Sequence, residues 1–379
     1  MIKKVFPVLA LCVSSSALGI GIVVPFLPLY AENLGATGIW LGVIFGGFSI
    51  SRAILMPVFG RLSDRRGRKL FISIGLLIYT IMSLGYIWAD SVSELTLVRF
   101  IHGAAAGMIF PVAQAYIGDI SPRGEEGKWM GYFNAAYFTG IGFGPLMGGV
   151  LSEHLGMTVA FSTMGGLNLL AFLVTILFLP EVSRRKLAVS SFSPFKEIGT
   201  SGMAKGLFSF QLTFSLGRAA LFAFLPLFTV SKIGLNLALI GVLPAVYILL
   251  TSLPQTYSGK IADKFNRRRL VILGNFINVA ALALFPFAHS FWQLLGLCAL
   301  GGLGGAISMP AASALIIEEG RKFSMGSTIA ITTMAMSVGL GIGPIVSGVV
   351  VDFVNITSVF YFAAAVGIVG IGLFTWFTR

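Results

Sequence analysis

Three arginines and a histidine interrupt long apolar stretches of the sequence, and these residue types could bind an anion or carry a proton. They are Arg52, Arg99, Arg218 and His102. An arginine in apolar surroundings is costly unless it faces protein or a watery cavity, and a histidine changes its charge near neutral pH. As alternatives, an arginine could extend to the nearest aqueous surface or bond helix-end carbonyls, and a histidine could be a hydrogen-bonded packing residue.

Helical spacing groups these residues with other polar side chains. At 100° per residue, Arg99, His102 and Gln114 share one helix face, and Gln211 and Arg218 share a stripe on another helix. A positive, partly desolvated site would favour anionic or amphipathic ligands over cations. We therefore hypothesise that Arg218 holds a negative group of the ligand. Further polar candidates for the cavity are Asn134, Tyr137 and Tyr247.

Acidic residues are absent from the central part of the apolar stretches. The nearest ones lie close to the ends of the stretches: Asp119, Glu153, Glu318 and Asp352. Proton coupling normally needs a group inside the membrane whose pKa differs between two exposures. The sequence therefore leaves open whether the protein uses a proton gradient and which residue would carry the proton.

Catalytic chemistry finds no support in the residue pattern. The sequence has only 3 histidines, its 2 cysteines are far apart, and it has no GxxxxGK[ST] phosphate-binding loop. We expect neither an enzyme nor a cofactor or metal site.

Composition indicates a protein that lipid covers. The chain of 379 residues is 56% hydrophobic and only 11% charged, whereas soluble domains carry about 25% charged residues. The net charge of +12 could suggest a nucleic-acid partner. However, the basic residues form short clusters between apolar runs of roughly 20 residues, the length that a helix needs to cross a bilayer. They mark one face of a membrane, so we expect no nucleic acid.

The apolar runs predict an all-α membrane protein with twelve transmembrane helices. Only helices or closed barrels satisfy their backbone groups in lipid, and the runs lack the alternation of barrel strands. The predicted spans lie near 5–30, 38–60, 70–88, 94–118, 128–153, 157–180, 204–231, 237–258, 269–288, 291–316, 324–351 and 356–378.

Lysine and arginine gather in the loops of one side, which by the positive-inside rule is cytoplasmic, together with both termini. We expect a multi-pass protein of the inner (plasma) membrane. The longest connection predicts a cytoplasmic linker at 181–203, between an N-terminal bundle at 1–180 and a C-terminal bundle at 204–379.

The two halves repeat at an offset of about 199 residues. Phe26-Leu27-Pro28-Leu29 recurs as Phe224-Leu225-Pro226-Leu227, Gly144-Pro145 recurs as Gly343-Pro344, and Glu153 matches Asp352. Such duplication is typical of secondary transporters, which place a site between two bundles that open alternately to either side. It predicts two pseudo-symmetric six-helix bundles.

The loop from Gly60 to Lys69 reads GRLSDRRGRK and is similar to the GxLxDRxGRR/K signature of the major facilitator superfamily. The matching residues are Gly60, Asp64, Arg65, Gly67, Arg68 and Lys69, with Gly259, Asp263 and Arg267 in a weaker second copy. The resemblance implies a cytoplasmic gate in which Asp64 caps helix eleven near Ser324 to Ser327. A basic loop with a helix-capping aspartate is the alternative interpretation.

The fifth predicted span, 128–153, resembles the G-x8-G-x3-GP-x2-GG pattern of antiporter branches of that family. The eleventh predicted span, 324–351, carries a related Gly343-Pro344. The helix-five residues are Gly131, Gly140, Gly144, Pro145, Gly148 and Gly149. The first span resembles that of tetracycline exporters, but Ser16 stands where an aspartate is usual. Arg99-x-x-His102-Gly103 is similar to the family's RxxxG element.

Three functions compete. The first is an exporter of small hydrophobic or amphipathic compounds, of the proton-antiport type, working by alternating access. The second is a facilitator or symporter for organic anions or metabolites, favoured by the arginines and the absent central carboxylate. The third is a non-transporting receptor or a membrane enzyme. We expect a monomer whose partners are a small-molecule substrate and the lipid bilayer.

Overall fold

The computed structural model describes residues 2–122, 125–181, 198–254, 264–323 and 325–379, with the backbone alone at 126–127 and 325–327. These residues are helical and hold no strand. The helices are α1 Ile2–Val23, α2 Leu27–Asn33, α3 Gly38–Arg66, α4 Arg68–Trp88, α5 Val92–Ile120, α6 Glu126–Leu155, α7 Met157–Phe178, α8 Gly202–Ile233, α9 Leu237–Ser252, α10 Arg267–Leu284, α11 Phe291–Lys322, α12 Met325–Phe353 and α13 Ser358–Phe377.

Each of the twelve predicted spans overlaps a helix. In the described part of the chain, ten helices are long and apolar enough to cross a membrane, and α9 is a shorter apolar helix. The helix α6 is not among the ten. The all-α membrane fold is confirmed.

The first predicted span, near 5–30, is not one continuous helix. The chain leaves α1 after Val23, makes a turn and starts α2 at Leu27. Pro25 lies in the turn, where its missing N–H breaks no helical hydrogen bond, and Pro28 lies in the first turn of α2, where proline is tolerated.

The starts of α5 and α11 show how the local sequence sets the helix boundaries. The Ser91 hydroxyl accepts the backbone N–H of Glu94, whose carboxylate accepts the N–H of Asp90. Ser290 and Gln293 make the same pair of bonds at α11. Each serine satisfies one N–H group that the first helical turn leaves without a partner, and the Glu94 and Gln293 side chains bond the N–H of the residue before each serine.

The chain divides into two compact units. Unit 1 comprises Met1–Ala36, Gly47–Ala188 and Asn236–Ala245, and unit 2 comprises Thr37–Gly46, Val189–Leu235 and Val246–Arg379. In unit 1, α1 packs against α6 and α7, and α4 packs against α5 and α7. Its apolar core includes Leu9, Leu76 and Ile109, all of them buried.

Unit 2 repeats these four pairings with the corresponding helices of the second half. The helix α8 packs against α12 and α13, and α10 packs against α11 and α13. Its core includes Leu207, Phe210 and Val271. The sequence repeat therefore corresponds to the same set of helix contacts in each unit.

The predicted boundaries of the two bundles, at 180 and 204, stay predictions. The start of α3 belongs to unit 2 and the start of α9 belongs to unit 1. Most of the predicted linker, 182–197, lies outside the described residues.

Candidate functional site

The motif Gly60–Lys69 forms an ion-pair network. The sequence predicts a loop here, but these residues form the last turns of α3 and the first turn of α4, with Gly67 alone between the helices. Arg68 is 2.8 Å from the Asp64 carboxylate and also pairs with Asp119 at the end of α5. Gly67 has a φ of +108°, and a Cβ there would lie 2.7 Å from the Glu181 carboxylate, so glycine is required at this turn. The motif therefore ties α3, α4 and α5 together at one end of unit 1.

The other matching residues of this motif contribute less to the network. Lys69 donates to the carbonyl of Ile176 at 2.8 Å, whereas Arg65 is exposed and a Cβ on Gly60 would meet no atom of the residues that the structure describes. The second copy repeats the key pair, because Arg267 pairs with Glu318. Gly259 and Asp263 lie outside the described residues, as do Ser324 and the side chains of 325–327, the predicted partners of Asp64.

A cluster of aromatic and basic side chains surrounds His102 in unit 1. Arg99 is 2% exposed, so it does not extend to the surface, and its guanidinium carbon lies 4.4 Å from the centre of the Phe48 ring. The Tyr79 ring packs edge-on against the imidazole, with ring centres 4.1 Å apart. The face of the Phe48 ring attracts the Arg99 cation, and the attraction is stronger where water is excluded.

A hydrogen-bond chain joins these side chains. Arg99 donates to the Tyr86 hydroxyl at 3.4 Å, and that hydroxyl lies 2.8 Å from His102 Nδ1. If the hydroxyl donates onward to Nδ1, the proton of a neutral imidazole lies on Nε2. Among the described residues Nε2 is buried without a hydrogen-bond partner. This chain of hydrogen bonds can therefore orient the imidazole, and it leaves Nε2 for a further partner.

A second polar cluster lies on α8 in unit 2. The Arg218 guanidinium carbon lies 6.0 Å from the centre of the Phe214 ring, and its side chain is partly exposed. Gln211 Oε1 and Ser215 Oγ are buried on the same stripe, and neither has a hydrogen-bond partner within the described ranges. These groups could bind a polar ligand.

Tyr247 of α9 extends this cluster. Asn278 donates to its hydroxyl at 2.8 Å, and Phe222 packs edge-on against its ring at 5.4 Å. Sequence reasoning missed Asn278, as it missed Phe48, Tyr79 and Tyr86 in unit 1. The 199-residue offset could have found it, because Asn278 corresponds to Tyr79 and Tyr247 corresponds to Phe48.

The remaining predicted polar residues all belong to unit 1. The ring of Tyr137 on α6 packs at a tilt of 55° against that of Phe110 on α5, with ring centres 4.5 Å apart. Arg52, Gln114 and Asn134 are partly exposed on α3, α5 and α6. The structure thus places Tyr137 in contact with α5, the helix that carries Arg99 and His102.

The glycine pattern of α6 brings this helix close to α1. A Cβ on Gly140 would lie 2.5 Å from the Ser14 carbonyl, one on Gly144 would lie 2.5 Å from Gly21 Cα, and one on Gly148 would clash with the Ile22 carbonyl. In unit 2, a Cβ on Gly343 would lie 2.8 Å from the carbonyl of Leu216 in α8. A Cβ on Gly131 would meet no atom of the described residues, so Gly131 takes no part in this contact.

Comparison with known proteins covers the whole chain. The family model described as Major Facilitator Superfamily matches residues 9–253 and 207–379. The quinolone resistance protein NorA of Staphylococcus aureus is 29% identical over 93% of this chain and 91% of its own length. An uncharacterised MFS-type transporter of Methanocaldococcus jannaschii is 28% identical over 97% of this chain and 96% of its own length.

Solved structures share the fold at low identity. A bacterial homologue of the human lysosomal transporter Spinster, in an inward-facing and occupied conformation, has a TM-score of 0.84 at 15% identity, covering 100% of this chain and 97% of its own. The nucleoside transporter NupG has a TM-score of 0.82 at 15% identity, covering 99% of this chain and 100% of its own.

Proposed function

Because the chain belongs to the major facilitator superfamily, a family of membrane-embedded transporters, we propose that it is a secondary active exporter of small hydrophobic or amphipathic compounds. Export would be coupled to proton antiport and would work by alternating access. Membership of a transporter family sets aside the alternatives of a membrane enzyme and a non-transporting receptor.

The observation that carries this proposal is the contact made by the glycine–proline segment of α6. Gly144 and Gly148 allow the backbone of α6 to approach α1 more closely than any other residue would permit. Close backbone packing with a proline in the helix gives a joint that can bend differently in two states. The same segment is the one whose pattern resembles antiporters, and the similarity to NorA supports the export of drug-like compounds.

The cluster on α8 is the proposed substrate site. Arg218 would bind a negative group of the substrate, while Gln211 and Ser215 supply the unpartnered polar atoms beside it. Phe222 and Tyr247 supply aromatic surface for an apolar portion. Such a site would select compounds with an apolar body and one anionic or zwitterionic end.

A facilitator or symporter for organic anions is the second candidate. It is favoured by Arg99 and Arg218, and by the sequence, which places no Asp or Glu in the central part of a predicted span. In either case the cytoplasmic gate would be the network around Arg68, Asp64 and Asp119. The protein would lie in the inner (plasma) membrane with both termini in the cytoplasm, and we propose that it acts as a monomer.

Transport in liposomes under imposed pH gradients separates these functions. The purified protein is reconstituted, and a fluorescent quinolone is supplied outside vesicles whose lumen is either more acidic or more alkaline than the medium. An antiporter accumulates the quinolone when the lumen is acidic, because protons that leave drive the substrate inward. A symporter accumulates it when the lumen is alkaline.

Protein-free liposomes under the same gradients report the passive redistribution of the dye and serve as the control. Accumulation above this control with an acidic lumen alone supports the exporter. Equal, gradient-independent equilibration in both arms would contradict it in favour of a facilitator.

A further inference from the structure

Two carboxylates bind the first N–H groups of helices that are distant in the sequence. Asp352, near the end of α12, accepts the N–H of Gly38 at 2.7 Å and that of Ile39 at 2.8 Å, where α3 begins. Glu153, near the end of α6, accepts the N–H of Leu237 at 2.8 Å, where α9 begins. The first N–H groups of a helix lack intrahelical partners and carry partial positive charge, so a carboxylate there stabilises the helix start.

The two contacts are equivalent positions of the sequence repeat. Asp352 lies one repeat offset after Glu153, and Leu237 lies the same offset after Gly38. The structure thus makes one contact twice, with different acidic residues and different capped residues. A contact that both repeats retain at corresponding positions is better explained by a shared role than by chance packing.

Backbone contacts below the two carboxylates also correspond. A Cβ on Gly42 of α3 would lie 2.5 Å from the Pro344 carbonyl of α12, and one on Gly241 of α9 would clash with the Pro145 carbonyl of α6. Here the helix backbones touch at the glycines, so each contact fixes the start of one helix directly against its neighbour.

Each capped segment also crosses between the sequence repeats. Thr37–Gly46 comes from the first repeat but belongs to unit 2, and Asn236–Ala245 comes from the second repeat but belongs to unit 1. The caps therefore hold the start of each helix onto the partner repeat. Glu153 and Asp352 are both exposed, so water can replace the capped N–H groups when the contact opens.

We propose that Glu153 and Asp352 form a paired latch at the outer end of the molecule. Both caps are closed together when the starts of α3 and α9 are docked, and both open together when the transporter opens to the outer face. We assign this end of the molecule to the outer face because the lysines and arginines gather in the loops of the opposite side. The proposal rests on alternating access, but it assigns these two carboxylates as positioning residues that set the balance between the two states.

Spin-label distances within unit 2 test this latch. Labels on Trp40→Cys and Val354→Cys, two exposed positions beside the Asp352 cap, are measured by double electron–electron resonance in lipid nanodiscs. The buried Cys12 and Cys298 are first replaced by serine and alanine. D352N should increase the population with the longer distance by about two- to fivefold, the effect expected when a helix terminus loses one opposing charge.

The variant E153Q is decisive, because Glu153 belongs to unit 1 and both labels lie in unit 2. A paired latch predicts that E153Q lengthens the same unit 2 distance, whereas a merely local cap would leave it unchanged. Glu32→Gln is the matched control, since Glu32 is an exposed carboxylate whose side chain makes no cap contact among the described residues. The double variant E153Q/D352N should show the largest shift.

The latch is overturned if E153Q gives the same distance distribution as Glu32→Gln while the labelled protein keeps its thermal stability. D352E, which keeps the charge, should retain most of the short-distance population, so that a folding defect of D352N can be recognised. These distances are measured without substrate or gradient. A failed quinolone assay would therefore count against the proposed export and leave the latch result standing.

Discussion

Arg218 is a cation with incomplete compensation in its described surroundings. Its guanidinium carbon lies 6.0 Å from the centre of the Phe214 ring, and Gln211 and Ser215 on the same stripe have polar atoms without a partner among the described residues. Neither an amide oxygen nor a hydroxyl neutralises a guanidinium. A substrate carboxylate would supply the missing charge and would gain most where water is partly excluded.

Replacement of Arg218 tests this interpretation. Arg218→Ala should raise the KM for a zwitterionic substrate about tenfold or more, which corresponds to about 1.4 kcal/mol, because the charge partner is lost. Arg218→Lys should retain part of the affinity but not a two-pronged bond. The control is Lys232→Ala, an exposed cation at the end of the same helix. Full transport by Arg218→Ala in the liposome assay would refute the assignment.

Single charged residues could be located from the sequence, but their partners could not. Arg99 and His102 were predicted to share a helix face, and both are buried in one cluster. Tyr86, which links them, comes from α4 and is one aromatic residue among many in an apolar run. Which tyrosine faces inward depends on how α4 packs against α5, and a single sequence does not specify that packing.

At the scale of helices, α6 shows how glycines determine which neighbour a helix can approach. Gly140, Gly144 and Gly148 meet the backbone of α1, whereas Gly131 on the same helix has no neighbour within reach in the described part of the chain. The pattern in the sequence named five glycines together. The structure separates the three that contact α1 from Gly149, which faces Leu237 at the start of α9, and from Gly131, which makes neither contact.

Gly144→Ala and Gly131→Ala form a matched pair of variants. The methyl group on Gly144 would overlap Gly21 Cα, so we expect a loss of about 1–3 kcal/mol in the free energy of unfolding. Gly131→Ala should be neutral or stabilising by about 0.5–1 kcal/mol, because alanine restricts the unfolded chain more than glycine does. Thermal unfolding of the purified proteins in detergent measures both. Equal stability of the two variants would show that the contact between α6 and α1 accommodates the methyl group without cost, against this prediction.

Helix boundaries were predictable where local chemistry sets them. The serines that precede α5 and α11 mark the helix starts, because each hydroxyl accepts a hydrogen bond from the backbone N–H three positions later. The break between α1 and α2 was missed, because an apolar run hides a turn from a hydropathy window even when Pro25 and Pro28 lie inside it. The latch contacts were also beyond reach, since they join residues more than 80 positions apart in the chain.

At the scale of the whole molecule, the repeat is the best predictor of structure. The same four helix pairings occur in each unit, and paired positions carry Arg68–Asp119 in one repeat and Arg267–Glu318 in the other. The repeats differ where ligand chemistry is proposed: Arg99 corresponds to Cys298, and Arg218 corresponds to Gly19. Common positions thus carry the structural ion pairs, whereas the arginines proposed for ligand binding lie at divergent positions.

The orientation in the membrane can be measured with single cysteines. Asp90→Cys and Arg66→Cys place a thiol at exposed positions beyond opposite ends of α4. A membrane-impermeant maleimide should label the first in intact cells and the second only after permeabilisation. The native cysteines are buried and should give little background. Labelling in the reverse order would invert the assignment of inner and outer faces.

The exchange of Thr37–Gly46 and Asn236–Ala245 between the units has a consequence for biosynthesis. When the ribosome has delivered the first six membrane helices, the segment of α9 that completes unit 1 has not yet been made. At that stage unit 1 lacks this part of α9, and the start of α3 lacks the helices of unit 2 against which it packs. The first half therefore completes its packing only after the second half has been inserted into the bilayer. Neither half finishes its own compact unit from its own residues, so maturation of the two is mutually dependent.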